Sequence, residues 1–166
     1  TACHTGHINA CRTLKLLGID LDGGFGQYVA VPEDRLFKLP DEIPMQDVPM
    51  VELYSIGHHV LRRGRVQPGE RVVILGAGKV GLSVLDVLCH SASPNWVLST
   101  DLEEHRLDIA TKLGAAATVN ITEADPVEQV LEMTNGEGAD CVIEAIGHFS
   151  VAEGQDAPLQ QAVEMV

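Results

Sequence analysis

Three glycines at a fixed spacing could hold the diphosphate of a nucleotide. Gly76, Gly78 and Gly81 form the pattern G-x-G-x-x-G directly after a short apolar run. The first glycine permits a tight turn, the second lets a pyrophosphate approach the backbone, and the third lets the next helix pack against the strand. The N–H groups from Gly78 through Lys79 to Val80 would then face the anion at the positive end of a helix dipole.

An acidic residue follows this turn at the distance expected for ribose recognition. Asp101 lies 101 − 81 = 20 residues beyond Gly81, and a carboxylate there can accept hydrogen bonds from both hydroxyls of an adenosine ribose. Because it would repel a 2′-phosphate, the pattern favours NAD over NADP. Arg106, one turn into the next helix, could lie near the adenine or pair with Glu103. The alternative is a structural turn in which Asp101 caps that helix.

Two cysteines near the start could bind a metal. Cys3 and Cys11 enclose the polar turn CHTGHINAC, and thiolates on such a loop could form half of a structural zinc site. Two cysteines cannot complete a tetrahedron, so plain free thiols are the alternative. His4 and His7 lie in the same loop and could either complete the site or stand in solvent.

Glu52 is the one charged residue in the stretch VPMVELYSIG. A carboxylate there could face a cleft and bind zinc or a zinc-bound water, and the alternative is an exposed residue on a helix. His58 and His59 are adjacent, so they point to different faces and are not a ligand pair. Cys89 and Cys141 are expected to pack in the core.

Strand and helix patterns alternate four times after residue 65. The run RVVIL is typical of a strand buried on both faces. The alternation predicts an α/β fold with a parallel sheet covered by helices on both faces. Gly114 is predicted to end the helix at 103–113, and Asp125 is predicted to cap the start of the helix at 126–134. Predicted strands span 71–75, 96–100, 117–120 and 141–146, and predicted helices span 79–90, 103–113, 126–134 and 158–166.

The first 65 residues are rich in glycine and proline turn signals. Residues 25–31, FGQYVAV, follow a glycine turn and predict a strand in a small β-rich unit. Asp47 is predicted as the N-cap of a helix that has Pro49 near its first turn and runs to about Gly64.

The composition excludes several classes of partner. Lys and Arg number 11 and Asp and Glu number 24, so the net charge is 11 − 24 = −13. Such a chain is expected to bind neither nucleic acid nor an anionic membrane, and no apolar run approaches the ~20 residues of a spanning helix. Four scattered cysteines and the lack of a signal peptide predict a cytoplasmic protein. The absence of an initial Met and the final helical stretch lead us to expect truncation at both ends.

Three stretches together resemble the medium-chain dehydrogenase/reductase family, in its zinc-containing alcohol, polyol and threonine dehydrogenase branch. Residues 3–11 are similar to the second half of that family's structural zinc loop. Residues 22–41, DGGFGQYVAVPEDRLFKLPD, and residues 51–82, VELYSIGHHVLRRGRVQPGERVVILGAGKVGL, resemble two of its specific signatures. Residues 138–147, GADCVIEAIG, fit its fourth Rossmann strand.

The resemblance implies a two-domain enzyme that transfers hydride from an alcohol or polyol to NAD with the help of zinc. Residues 1–55 would be part of a GroES-like catalytic domain. Residues 56–166 would be an incomplete, doubly wound Rossmann sheet with the strand order 3-2-1-4. Cys3 and Cys11 would be two of four structural zinc ligands, and Glu52 a catalytic zinc ligand or its water-linked partner. The residues implied to hold the cofactor are Gly76, Gly78, Gly81 and Asp101.

The chain also departs from the family pattern. The other zinc ligands, the proton-relay hydroxyl and the last two Rossmann strands have no counterpart here, and Leu53 replaces a family proline. We therefore expect the chain alone to bind the ADP part of NAD weakly and not to turn over, while the full-length parent could be a homo-oligomer. The alternatives are a non-catalytic dinucleotide-binding protein on the same fold and a methyltransferase that binds S-adenosylmethionine at the glycine turn.

Overall fold

The computed structural model describes residues 2–147 and 157–166. The chain divides into two compact units, Thr1–Ile43 and Pro44–Val166. The predicted domain boundary after residue 55 stays a prediction. Residue 55 lies within a helix, Met50–Gly64, that belongs wholly to the second unit.

The first unit consists of turns and short 3₁₀ helices, and none of its described residues is buried. The predicted strand at 25–31 is wrong. A strand must pair its backbone groups with a neighbour, and the described part of this unit offers only one isolated bridge, between Leu17 and Leu21. Phe25 and Tyr28 are accordingly almost fully exposed. The 3₁₀ helices span Ala2–Thr5, Ile8–Ala10 and Glu33–Arg35.

Helix α1 spans Met50–Gly64 and ends where predicted, at Arg65 in the left-handed conformation. Its predicted start is wrong, because the N-cap is Pro49 and no side chain caps the helix. Asp47 belongs to the turns that precede the helix, where its carbonyl oxygen accepts the Met50 N–H at 2.9 Å. Because Asp47 lies two residues before the N-cap position, its carboxylate does not cap the helix.

Helix α2 spans Lys79–Ser91 and packs closely against α1. A Cβ at Gly57 would lie 2.9 Å from Val87 Cγ2, so glycine is needed where the two helices meet. Tyr54 on α1 also donates a hydrogen bond to the Asp86 carboxylate on α2 at 2.6 Å.

A parallel sheet with connecting helices forms the rest of the second unit, which confirms the predicted α/β class. The elements are β1 Arg71–Leu75, β2 Trp96–Asp101, α3 Glu104–Leu113, β3 Ala117–Asn120, α4 Pro126–Met133, β4 Cys141–Glu144 and α5 Pro158–Glu164. The strands lie in the order β3-β2-β1-β4, as the resemblance implied. Gly114 is the left-handed C-cap of α3, and Asp125 caps α4 by accepting the Val127 N–H at 2.8 Å, both as predicted.

The sheet separates two apolar cores. Successive side chains of a strand point to opposite faces, so Val72 and Ile74 of β1 face one core while Val73 and Leu75 face the other. Helices α1, α2 and α3 contribute to the first core, and α4 with the end of the chain contributes to the second. The fully or nearly fully buried members of the first are Val72, Ile74, Val84, Leu85, Leu88, Val97, Ala110 and Ile143. Those of the second are Val73, Leu75, Leu98, Val119, Val130, Ala139 and Met165.

Among the described residues, every helix is too short or too polar to span a lipid bilayer.

Candidate functional site

The glycine turn lies between β1 and α2, where two of its three glycines are required by the fold itself. Gly76 has a φ of 97°, and a Cβ there would lie 2.9 Å from Ile146 Cγ1. A Cβ at Gly81 would overlap the Gly76 carbonyl oxygen. These two positions therefore let the first turn of α2 approach the sheet closely.

Gly78 differs, because its missing side chain leaves open space. It has an ordinary φ of −72°, and a Cβ built there has no heavy atom within 4 Å. In the part of the chain that the structure describes, no protein acceptor pairs with the N–H groups of Gly78, Lys79 and Val80. Unpaired donors at the positive end of a helix dipole are suited to an anion.

Asp101 ends β2 beside this turn and is only 8% exposed. Its Oδ2 accepts the Ala77 N–H at 2.8 Å, and its Oδ1 accepts the Glu103 N–H at 3.0 Å. The contact with Ala77 was not foreseen from the sequence, although the parallel register that pairs Leu75 with Thr100 places these residues side by side. A carboxylate offers about four lone-pair positions. Ala77, Glu103 and Arg106 occupy three of those of Asp101, so one position on Oδ2 remains for a further donor.

Arg106 does not form the ion pair with Glu103 that was considered from the sequence, and its place near an adenine stays a prediction. Its Nη1 lies 3.3 Å from Asp101 Oδ1, whereas the described residues show no ion pair between Arg106 and Glu103. The guanidinium is thus held at the Asp101 carboxylate.

Two further residues at the carboxyl end of the sheet were missed by the sequence analysis. Leu102 follows Asp101 and is exposed, so it offers an apolar surface next to the carboxylate. Glu144 ends β4, and its Oε1 accepts the N–H groups of Ile146 at 2.6 Å and Gly147 at 2.8 Å. It thereby fixes the loop that packs against Gly76. The sequence signal for Leu102 was its place directly after Asp101, and the signal for Glu144 was an acidic residue at the end of a predicted strand.

Cys3 and Cys11 lie close enough to interact. A hydrogen-bonding interaction with Cys3, helped by Thr13, lowers the pKa of Cys11, and the same interaction raises the pKa of Cys3. His4 and His7 are exposed. In residues 2–147 and 157–166 there is no group of three or more potential metal ligands, so these thiols form a pair and not a complete zinc site.

Glu52 lies in the first turn of α1 and is exposed. No other potential ligand joins it to make a three-residue metal cluster in the described residues, so Glu52 could bind zinc only together with ligands from outside these residues. The predicted core positions of Cys89 and Cys141 are confirmed in part: both thiols are half-buried and pack at the margin of the first core. Burial raises the pKa of each.

Two family models match the chain. The alcohol dehydrogenase GroES-like domain matches residues 1–41, and the zinc-binding dehydrogenase matches residues 80–155. A sorbitol dehydrogenase of Bacillus subtilis is 34% identical over 89% of this chain, and an L-threonine 3-dehydrogenase of Symbiobacterium thermophilum is 36% identical over 88%. The chain belongs to the zinc-containing medium-chain dehydrogenase family. It spans 42% and 41% of the lengths of these two relatives.

Solved structures of similar proteins extend the family likeness to the whole chain. An alcohol dehydrogenase of Thermus sp. ATN1 has a TM-score of 0.86 at 29% identity, over 99% of this chain and 48% of its own. An Escherichia coli protein described as a short chain alcohol dehydrogenase complexed with NADH also has a TM-score of 0.86 at 29% identity, over 99% and 46%. A Sinorhizobium meliloti protein described as a zinc-binding dehydrogenase bound to NADP has a TM-score of 0.87 at 29% identity, over 99% and 46%.

Proposed function

We propose that the second unit binds NAD and that the protein acts in a zinc-dependent dehydrogenase that transfers hydride from an alcohol or polyol to NAD. The observation that carries the cofactor proposal is the open space at Gly78, lined by N–H groups without a protein acceptor and adjacent to the buried carboxylate of Asp101. Family membership independently favours the same chemistry.

Each residue of the site has a separate role in this proposal. The N–H groups of Gly78, Lys79 and Val80 bind the diphosphate, and Asp101 accepts the ribose hydroxyls. Arg106 keeps this carboxylate oriented. Leu102 offers its apolar side chain to the adenine. Gly76 and Gly81 shape the turn without contacting the cofactor.

The preference for NAD follows from charge. A 2′-phosphate would approach the Asp101 carboxylate and be repelled by it, although Arg106 at 3.3 Å offsets part of that charge. We therefore propose that NADH binds more tightly than NADPH, with a difference smaller than an unpaired aspartate would produce.

The nicotinamide cofactor supplies the hydride acceptor when it is bound. The described residues orient its adenine half and do not complete a zinc site. We propose Glu52 as the position that contacts catalytic zinc or its water, and Cys3 and Cys11 as structural zinc ligands. These assignments rest on the resemblance alone. The 166-residue chain by itself is proposed to bind NADH and to oxidise no alcohol at an ordinary rate.

A non-catalytic dinucleotide-binding protein on the same fold is the second candidate. The lack of a three-ligand cluster among the described residues favours it. Zinc content of the full-length parent protein, measured by mass spectrometry, separates the two: bound zinc favours the dehydrogenase, and a metal-free parent that retains NADH binding favours the second candidate.

We also propose a cytoplasmic location and self-association of the parent protein. The four cysteines are all free thiols in the structure, which suits a reducing compartment. Light scattering on the parent protein would test the self-association.

Gly78→Ala is the sharpest test of the cofactor site. The new methyl group meets no protein atom within 4 Å and φ is ordinary, so the free energy of unfolding should change by less than about 1 kcal/mol. Calorimetric affinity for NADH should fall at least about tenfold, because the methyl group enters the space of the diphosphate.

Gly24→Ala is the matched control, since its Cβ also meets open space and it lies in the first unit. Equal NADH affinity of the Gly78→Ala and unmodified chains would contradict the proposed site. Binding of S-adenosylmethionine in place of NADH would favour a methyltransferase.

A further inference from the structure

We propose that the Lys79 side chain is a further ligand of the cofactor's diphosphate, beyond the backbone N–H groups of the turn. This inference rests on the proposed nucleotide site and adds to it a charged side chain. The residue type at this position is not part of the glycine pattern, whose two intervening positions are open to any residue.

Lys79 occupies an electrostatically unfavourable position in the free protein. It is the first residue of α2, where the helix dipole is positive and cations are disfavoured. The first turns of α1, α3 and α4 contain acidic residues, whereas the first turn of α2 contains none. The position becomes favourable when an anion binds at the same helix end.

The acids around the turn are engaged elsewhere. Asp101 accepts hydrogen bonds from Ala77, Glu103 and Arg106, and Glu144 binds two N–H groups of its own loop. In the described ranges Lys79 forms no ion pair, and it is exposed. Its ammonium group is therefore available to an incoming anion.

Two observations favour the nucleotide as this anion. The Cβ position of the neighbouring Gly78 opens on empty space, and a structural relative over 99% of this chain was solved with NADH. The chain also has a net charge of −13, which repels a free dinucleotide. A cation placed at the diphosphate counters that repulsion locally, since ammonium binds phosphate as a point charge.

The proposal predicts effects of opposite sign on folding and on binding. Removing the Lys79 charge should leave the nucleotide-free protein equally stable or raise its thermal midpoint, because an unfavourable dipole contact disappears. The same change should weaken every ligand that carries a diphosphate. If Lys79 is only a solvent-exposed residue of the helix surface, removing its charge will not weaken binding.

The experiment measures calorimetric affinities of the 166-residue chain for NADH, ADP and adenosine at low and high salt. Lys79→Gln should weaken NADH and ADP about three- to tenfold, leave adenosine unchanged, and lose most of its effect at high salt. Lys79→Arg should retain the affinity. Lys112→Gln is the control with the same charge change: Lys112 lies in the last turn of α3, so its loss should lower the midpoint and leave binding unchanged.

The outcomes separate the two proposals. If the unmodified chain binds NADH and Lys79→Gln binds it equally well, the assignment of Lys79 is overturned while the site stands. If Lys79→Gln weakens adenosine as much as ADP, its effect is structural and the assignment is also overturned. An unmodified chain that binds neither NADH nor ADP contradicts the proposed function and this inference with it.

Discussion

The two compact units differ in what their apolar side chains contact. In the second unit, strand β1 is buried between two cores, with Val72, Val73 and Ile74 fully enclosed. In the first, no described residue is buried, and Phe25 and Phe37 are almost fully exposed. Both units have turn signals and apolar segments of similar local character, so local pattern alone does not account for the difference.

The comparison shows that a strand-like sequence pattern forms a strand only where a neighbouring strand can pair with it. Segment 25–31 has the aromatic and β-branched residues that favour a strand, yet it pairs with nothing in the described residues. Segment 71–75 has neighbours on both sides, β2 and β4. Backbone pairing and burial, which are properties of the whole unit, decide which segment becomes ordered structure.

Native-state hydrogen exchange should show the largest difference between the units. Amides of β1 and β2 exchange only through large-scale opening, whereas amides of the first unit lack a buried environment. We expect protection to differ by at least about a thousandfold, measured by exchange and mass spectrometry. Comparable protection in residues 2–43 would remove the distinction.

Gly81→Ala should have the next largest effect. Its Cβ would overlap the Gly76 carbonyl oxygen in the second unit, and we expect a loss of about 3 kcal/mol in the free energy of unfolding. Urea denaturation followed by fluorescence measures this directly, because Trp96, the single tryptophan, begins β2.

Gly23→Ala is the counterpart in the first unit. Its Cβ would lie 2.8 Å from Gly18 Cα, so this substitution also introduces a clash. Because no described residue of the first unit is buried, the clash should not lower the stability of the second unit. The Trp96 transition should not move. A shift as large as that of Gly81→Ala would show that the first unit folds cooperatively with the second.

Acid should remove a smaller contribution that is confined to the second unit. The Arg71 guanidinium donates to the Asp140 carboxylate at 2.9 and 3.1 Å, and the Arg71 backbone N–H donates to it at 2.8 Å. These contacts lower the pKa of Asp140 from 3.8 to about 2. A carboxylate with a lowered pKa in the folded state stabilises it above the unfolded pKa, and loses that effect as the pH falls through the folded pKa.

The contribution of Asp140 should therefore be complete above about pH 4 and disappear toward pH 2. Asp140→Asn should flatten the dependence of unfolding free energy on pH within that interval, measured by urea denaturation across the range. An unchanged slope would contradict the role of this pair.

The smallest expected effect has the opposite sign. Ser99 in β2 is 1% exposed, and its Oγ has no hydrogen-bond partner in the described residues. Ser99→Ala should raise the free energy of unfolding by about 0.5–1 kcal/mol, since it removes an unsatisfied buried hydroxyl. Ser83→Ala is the control: its Oγ donates to the Val80 carbonyl at 2.8 Å, so that change should be neutral or destabilising.

The architecture of the second unit could be predicted because its signals are both local and mutually consistent. Continuous apolar runs mark buried strands, and the Gly114 stop and Asp125 cap are short-range features that the chain realises as predicted. The wrong predictions concern segments whose structure depends on contacts with other residues. The strand at 25–31 lacks a neighbour, and the helix after Asp47 begins later because the preceding residues satisfy their N–H groups in turns.

The candidate site could be predicted as a set of residues but not as a network. The glycine pattern and the spacing to Asp101 place the turn beside the carboxylate. The contacts of Asp101 with Ala77 and Arg106 depend on the parallel register and on side-chain conformation, which spacing does not encode. The proximity of Cys3 to Cys11 was considered from the loop, whereas the absence of a third ligand among the described residues required coordinates.

The separation of the cores by the sheet has a consequence for how this sequence can diverge. Neighbouring residues of β1, such as Val73 and Ile74, contact different sets of side chains. A volume change at one can be compensated only by residues on its own side of the sheet. Substitutions should therefore covary within each side of the sheet and not between the two sides, even though the positions alternate along a single strand.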